Sequence, residues 1–129
     1  MWPDAPVSDY RKLEAWRLAH ATRLAIYRAT MKYQRQERFS LVDQTRRAAS
    51  SITSNIAEGA GHDSRREYAR FISYALGSVN EVEDHLLLAR DLGYLPPDAW
   101  SEIGQDLARV PSMLTRLRQF MRRRVTGNG

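Results

Sequence analysis

Glu58, Glu67, Glu81, Glu83 and His85 are the side chains best suited to holding a metal ion, because helical bundles build such centres from glutamates and Glu-x-x-His pairs on facing helices. Their spacing argues against it. Glu81 and His85 stand four apart rather than three, no second pair accompanies them, and His62 lies in a break flanked by glycines, so the ligand set is incomplete. Nucleophilic catalysis is no better supported, since there is no Gly-x-Ser-x-Gly elbow, no cysteine, and only His20, His62 and His85 as bases. His20 sits on an apolar stripe, where a packed, hydrogen-bonded imidazole is the simpler reading. A phosphate cradle needs a glycine-rich loop between strand and helix, and neither is found. The reading is a non-enzyme without metal or cofactor.

What the chain carries instead is arginine. Eighteen of its 20 basic residues are Arg and two are Lys, and the planar guanidinium suits phosphate and carboxylate recognition and stacking on bases. The net charge of +5 is unevenly spread. Residues 11–47 hold ten basic and three acidic side chains, residues 78–106 hold one and seven, and residues 107–129 hold six Arg and no acid. Such segregation fits a basic surface for nucleic acid or complementary faces that meet between subunits. The nucleic-acid candidates are Arg17, Arg23, Arg28, Lys32, Arg35, Arg38 and Arg46 in the first half, and Arg116, Arg118, Arg122, Arg123 and Arg124 at the end. No sequence-reading module is present, so backbone and shape contacts are the expected mode.

A second group of polar residues lies within Gln44 to Gly61. At helical spacing Gln44, Arg47, Ser51, Asn55 and Glu58 share a face, beside a thin apolar seam of Ala48, Ile52 and Ile56. Small residues there would let another helix approach closely, with Arg47, Asn55 and Glu58 held by partners such as Glu81 or Glu83 in a structural polar network. The alternative is that these groups face a shared cavity or ligand. The structural reading is favoured because buried polar groups are normally satisfied within the protein.

The elements that must position these residues are helices, since no stretch alternates with the period of a strand. Four are expected, at about 9–32, 41–60, 64–92 and 97–124. The first starts after Ser8 or Asp9 and repeats Leu13, Trp16, His20, Leu24, Tyr27 and Met31. Gly59 and Gly61 are expected to supply positive backbone angles that end the second, and Ser64-Arg65-Arg66-Glu67 has the spacing of a capping box for the third. That third helix carries one stripe of Tyr68, Ile72, Ala75, Val79, Val82, Leu86 and Ala89, and another of Phe71, Tyr74, Ser78, Glu81, His85, Leu88 and Leu92. Two stripes suggest burial inside the subunit and against a neighbour. The fourth repeats Trp100, Ile103, Leu107, Val110, Leu114, Leu117 and Met121, interrupted by Pro111, which should kink or split it.

A chain of 129 residues is one domain, 1–129, by the usual length prior. Without cysteine it has neither disulfides nor a thiolate site. It starts without a charged leader and apolar core, and no apolar run approaches the roughly 18 residues of a membrane span, so a soluble cytoplasmic protein is expected. Short connections favour an all-α, antiparallel up-down-up-down four-helix bundle.

The motif Asn55-Ile56-Ala57-Glu58-Gly59, preceded by Arg46-Arg47-Ala48 and followed by Ser64, Arg66-Glu67-Tyr68 and Arg70-Phe71, resembles the signature of the 23S rRNA intervening sequence proteins. Leu13-Glu14-Ala15-Trp16, Gly77-Ser78 with Glu81 and Glu83, and Leu92-Gly93-Tyr94-Leu95 extend the resemblance over about residues 10–121. Thr53, where the family often has proline, His62 and Pro111 depart from it. The resemblance implies an up-down bundle assembling into a barrel-like homopentamer. Relatives include the accessory protein of diversity-generating retroelements, which binds a reverse transcriptase and nucleic acid through a basic surface. It therefore implies a non-enzymatic oligomeric scaffold, and together with the segregated charge it makes rRNA or another nucleic acid, or a reverse transcriptase, the expected partners. The competing expectation is a protein-interaction scaffold whose charged faces serve assembly or a protein partner.

Overall fold

The structure, a computed structural model, describes residues 9–128 other than 34, 36 and 37, and leaves out the side chains of 38, 39 and 124–128. Arg38 and Arg124 therefore lie outside the described side chains. The helices are α1 (Glu14–Thr30), α2 (Asp43–Ala60), α3 (Arg65–Asp91) and α4 (Pro97–Asn128). A short 3-10 turn over Tyr10–Lys12 precedes α1, and a π turn over Arg38–Val42 leads into α2. Each helix packs on the next and α1 also packs on α4, so the four close around one core. Ile26, Ile52, Ile56, Ile72, Leu86 and Leu114 are among its fully buried members, each contributing about 1.5–3 kcal/mol by leaving water. Among the described residues no helix is long and apolar enough to cross a membrane.

Asp9 caps the 3-10 turn, its Oδ1 accepting from Arg11 N at 3.3 Å, and the chain is extended at Leu13 before α1 begins. The core face of α1 differs from the expected stripe. It is Ala15, Ala19, Thr22, Ile26 and Thr30 that are buried, whereas Leu24 is 41% and Met31 76% exposed. Two adjacent faces of this helix share the same period, and the buried one uses small residues and threonines that satisfy their own hydroxyls. Thr22 Oγ1 donates to Leu18 O and Thr30 Oγ1 to Ile26 O, both at 2.8 Å, so neither carries a desolvation penalty.

The glycine expectation is also corrected. Gly61 has φ −82°, and among the described residues the positive φ belongs to Gly93, at 82°. There Tyr94 N donates to Ala89 O at 2.9 Å and Gly93 N to Arg90 O at 3.0 Å, the paired bonds that close a helix over a left-handed residue. Gly59 is buried inside α2 and serves close packing instead. At the start of α3, Ser64 Oγ accepts from Glu67 N at 3.2 Å, half of the expected capping box.

The first stripe of α3 is buried almost throughout, with Tyr68 partly covered, and α4 follows its expected stripe through Ile103, Leu107, Val110, Leu114 and Met121. Pro111 does not split α4. It removes the donor that would reach Leu107 O and crowds that carbonyl, and Val110 and Leu114, both at 0% exposure, hold the helix to the core on either side.

Two consequences are measurable. Gly77 lies exposed inside α3, and a Cβ there would meet nothing within 4 Å, so Gly77→Ala should stabilise the fold by about 0.5–1 kcal/mol in a urea titration. Tyr33 is buried, its ring centre 5.7 Å from that of Tyr94, and its hydroxyl finds no partner among the described residues. Burial pushes its pKa up from 10.0 to about 12, and raises that of Tyr68 as well. The unfolded chain ionises first, so stability is whole below about pH 10 and declines as the pH rises toward 12. Tyr33→Phe should flatten part of that decline in thermal melts across alkaline pH without lowering stability at neutral pH.

Candidate nucleic-acid interface

The structure divides the arginines by what they touch. Arg46 closes the end of α1: its Nε donates to Thr30 Oγ1 at 2.9 Å, its Nη2 to Tyr27 O at 3.0 Å, and its guanidinium lies 4.6 Å from the Tyr27 ring centre. A cation on the last carbonyls of a helix is favourable, and this one is occupied structurally. Arg118 ties α4 to α3 through Nη1 to Ser73 Oγ at 3.1 Å, with a buried Nε that finds no partner among the described residues. Arg23 is tethered to His20, its Nη2 2.7 Å from Nδ1, while His20 stacks on Trp16 at 4.9 Å. Burial, and then the Arg23 charge, hold the His20 pKa below its ordinary value, so the neutral ring remains an acceptor for the guanidinium.

Arg17, Arg28, Lys32, Arg35, Arg116, Arg122 and Arg123 are exposed, and they fall at two ends of the bundle. Arg28 and Lys32 flank a groove opposite Asp98 and Glu102 of α4. Carboxylates there offset the local field, and Asp43 and Asp91, at the start of α2 and the end of α3, belong to the same end. Arg116 lines a groove with Leu13 and Glu14 at the start of α1. The last turns of α4 also meet the first turn of α3, where Arg65 Nη1 lies 3.5 Å from Met121 Sδ and the Arg65 guanidinium carbon 5.7 Å from the Phe120 ring centre. Arg17, Arg116, Arg122 and Arg123 thus share one end with Lys12, Arg65 and Arg66. Glu14, Glu58 and Asp63 are the nearby acids, since Glu67 is paired with Arg70 at 2.5 Å and Asp9 with Arg11 at 3.0 Å. This end is the strongly positive one.

The structural polar network does not form as expected. Arg47, Glu58, Glu81 and Glu83 are all exposed, because an unpaired buried charge costs more than it returns. The seam between α2 and α3 is neutral: Ser78 Oγ donates to Ser51 Oγ at 2.9 Å, and Asn55 Nδ2 donates to Ser51 O at 2.8 Å and to Ser51 Oγ at 3.1 Å. Glu81 approaches His85 Nε2 at 3.6 Å, and no third metal-ligating side chain among the described residues joins them.

The model of the family described as 23S rRNA-intervening sequence protein matches residues 11–116. The chain belongs to this family. A solved structure from Bacteroides thetaiotaomicron, described as a protein with unknown function from the S23 ribosomal protein family, is similar to it with a TM-score of 0.72 and 22% identity. The match covers 81% of this chain and 97% of that one, and it shows the shared fold. No curated protein matches the chain.

Within the family's matched span, the sequence reading missed Lys12, Arg65 and Arg66. Arg65 and Arg66 fall in a stretch where acids and bases balance along the chain, so linear charge counting passes over them. The available signal was topological: in a bundle with short connections, the turn between α2 and α3 shares an end with the last turns of α4.

Proposed function

We propose that this protein is a non-enzymatic, homo-oligomeric scaffold that binds RNA, or another structured nucleic acid, through its basic end. The observation that carries the reading is the gathering of Arg17, Arg65, Arg66, Arg116 and Arg123 at one end while acids balance the other. Guanidinium groups spread over three helix termini fit a phosphate backbone and carry no base code. The up-down-up-down order is supported by each helix packing on its chain neighbour and by α1 closing on α4. Assembly, with the homopentamer as the specific form, is supported by family membership and by three apolar residues of the second stripe of α3, Tyr74, Leu88 and Leu92, that are exposed. We place it in the cytoplasm, with ribosomal RNA as the first partner to test and a reverse transcriptase as the second. Fluorescence anisotropy with 23S rRNA fragments and duplexes decides the matter. Binding that weakens steeply with salt is expected, and no retention near physiological ionic strength overturns it.

The acidic stretch over 78–106 favours one other reading, a protein-interaction scaffold whose basic faces meet acidic faces. It predicts a salt-sensitive oligomer in light scattering and no response to nucleic acid.

A further inference from the structure

The turn between α2 and α3 carries a ring that the fold holds flat and leaves open. His62 stacks on Phe71, the ring centres 4.9 Å apart and the planes 18° from parallel. Phe71 is fixed in turn: Tyr74 meets it edge-on at 5.5 Å, and the Arg70 guanidinium carbon lies 5.2 Å from its centre. Arg70 has little freedom, since Glu67 pairs with it and its Nη1 donates to Tyr74 Oη at 2.9 Å. His62 N also donates to Gly59 O at 3.1 Å, so backbone and ring are both held. Yet His62 is exposed, as are Gly61, Asp63 and Ser64 around it, and Gly61 has no side chain to cover the imidazole. Among the described residues neither ring nitrogen has a hydrogen-bond or ion-pair partner. One face of the imidazole lies on Phe71 and the other looks onto solvent.

We infer that the outer face of His62 is a stacking platform for an unpaired nucleobase, an inference that rests on the nucleic-acid reading above and names the part of the RNA that meets this turn. A ring already ordered by a second ring loses little freedom when a base settles on it, and base–aromatic stacking tolerates any sequence because every base has a π face. Bases inside a duplex have both faces covered by their neighbours, so the platform takes a base from a loop, a bulge or a single-stranded tail. Charge separates the roles of base and phosphate. Glu58 and Asp63 are exposed beside His62 and offset much of the charge of Arg65 and Arg66 in the turn itself, which suits a neutral base. The phosphates next to that base have the exposed Arg122 and Arg123 close by, because Arg65 Nη1 reaches Met121 Sδ and brings the end of α4 beside the start of α3. The arginines would hold the backbone while His62 holds a base.

The test is fluorescence anisotropy of the full chain with an RNA stem bearing a short single-stranded tail, beside the same stem with an abasic tail. The two probes carry the same phosphates and differ only in the bases of the tail. The wild type should bind the base-bearing tail about tenfold more tightly, at low and high salt alike, because stacking releases no counterions. His62→Ala should lose that difference while keeping the affinity and the salt slope measured with the abasic probe. His62→Phe keeps a ring and should retain the difference, which guards against a loss that comes from the fold. His62→Lys keeps a cation without a ring and should not retain it. Equal affinity of the wild type for the two probes, or a preference that survives in His62→Ala, overturns the platform and leaves the basic-end reading standing. If neither probe is retained, both fall.

Discussion

Gly59→Val is expected to destabilise the protein by about 3 kcal/mol and to lower its melting temperature by roughly 10 °C. A Cβ at Gly59 would stand 3.0 Å from Phe71 Cβ, 3.3 Å from Tyr68 Cδ1 and 3.3 Å from the Tyr68 carbonyl oxygen. The first and last of these are anchored to the α3 backbone, so the conflict is relieved only if α2 and α3 move apart. That movement is resisted nearby, where Ser78 bonds Ser51 at 2.9 Å and His62 stacks on Phe71 at 4.9 Å. Valine adds two methyl groups and a β-branch to the clash, more than its gain in helix propensity over glycine restores. Gly61→Ala makes the control: its Cβ would meet Glu58 O at 3.5 Å, ordinary contact, and φ there is −82°. Thermal melts of the two variants separate the effects, and a Gly59→Val midpoint close to wild type would show that this helix pair has slack.

The same glycine shows where sequence reading works and where it stops. The inward faces of α3 and α4 were readable because Ile72, Val79, Val82 and Leu86, and Ile103, Leu107, Val110 and Leu114, are large apolar residues at a period close to 3.6. The face of α1 was not, because its buried members are Ala, Thr and one Ile, while larger apolar residues occupy the neighbouring exposed face. Gly59 carries no local mark that distinguishes a helix end from a close crossing, since both ask for a missing Cβ and only the position of Phe71 decides. Arginine is ambiguous in the same way. Arg46 and Arg118 looked like phosphate ligands until Thr30 and Ser73 were placed beside them. Charge read along the chain also misses charge gathered in space, as at Arg65 and Arg66.

That spatial gathering leads to the largest expected change in binding. Replacing Arg17, Arg66, Arg116 and Arg123 together with glutamine should weaken RNA binding on the order of a hundredfold at physiological ionic strength and lower the slope of log affinity against log salt by about 3. The slope follows from counterion release, with roughly 0.7–0.9 ions returned to solution for each phosphate neutralised. All four side chains are exposed at the positive end and none is paired with a carboxylate among the described residues; the one tie lost is the exposed bond from Arg17 Nε to Arg11 O at 2.8 Å, so their removal should cost the fold little. Arg28→Gln, Lys32→Gln and Arg35→Gln together should change affinity by less than about threefold, because Asp98 and Glu102 already face Arg28 and Lys32 across their groove. Arg46→Gln and Arg118→Gln should behave differently again, lowering the melting temperature through the lost ties to Thr30 and Ser73 while leaving the salt slope of the folded protein unchanged. Anisotropy titrations at several salt concentrations read all three classes. Equal losses from the two exposed sets would place the phosphate contacts along the whole of α1 instead of at the end where α1, α3 and α4 bring their arginines together.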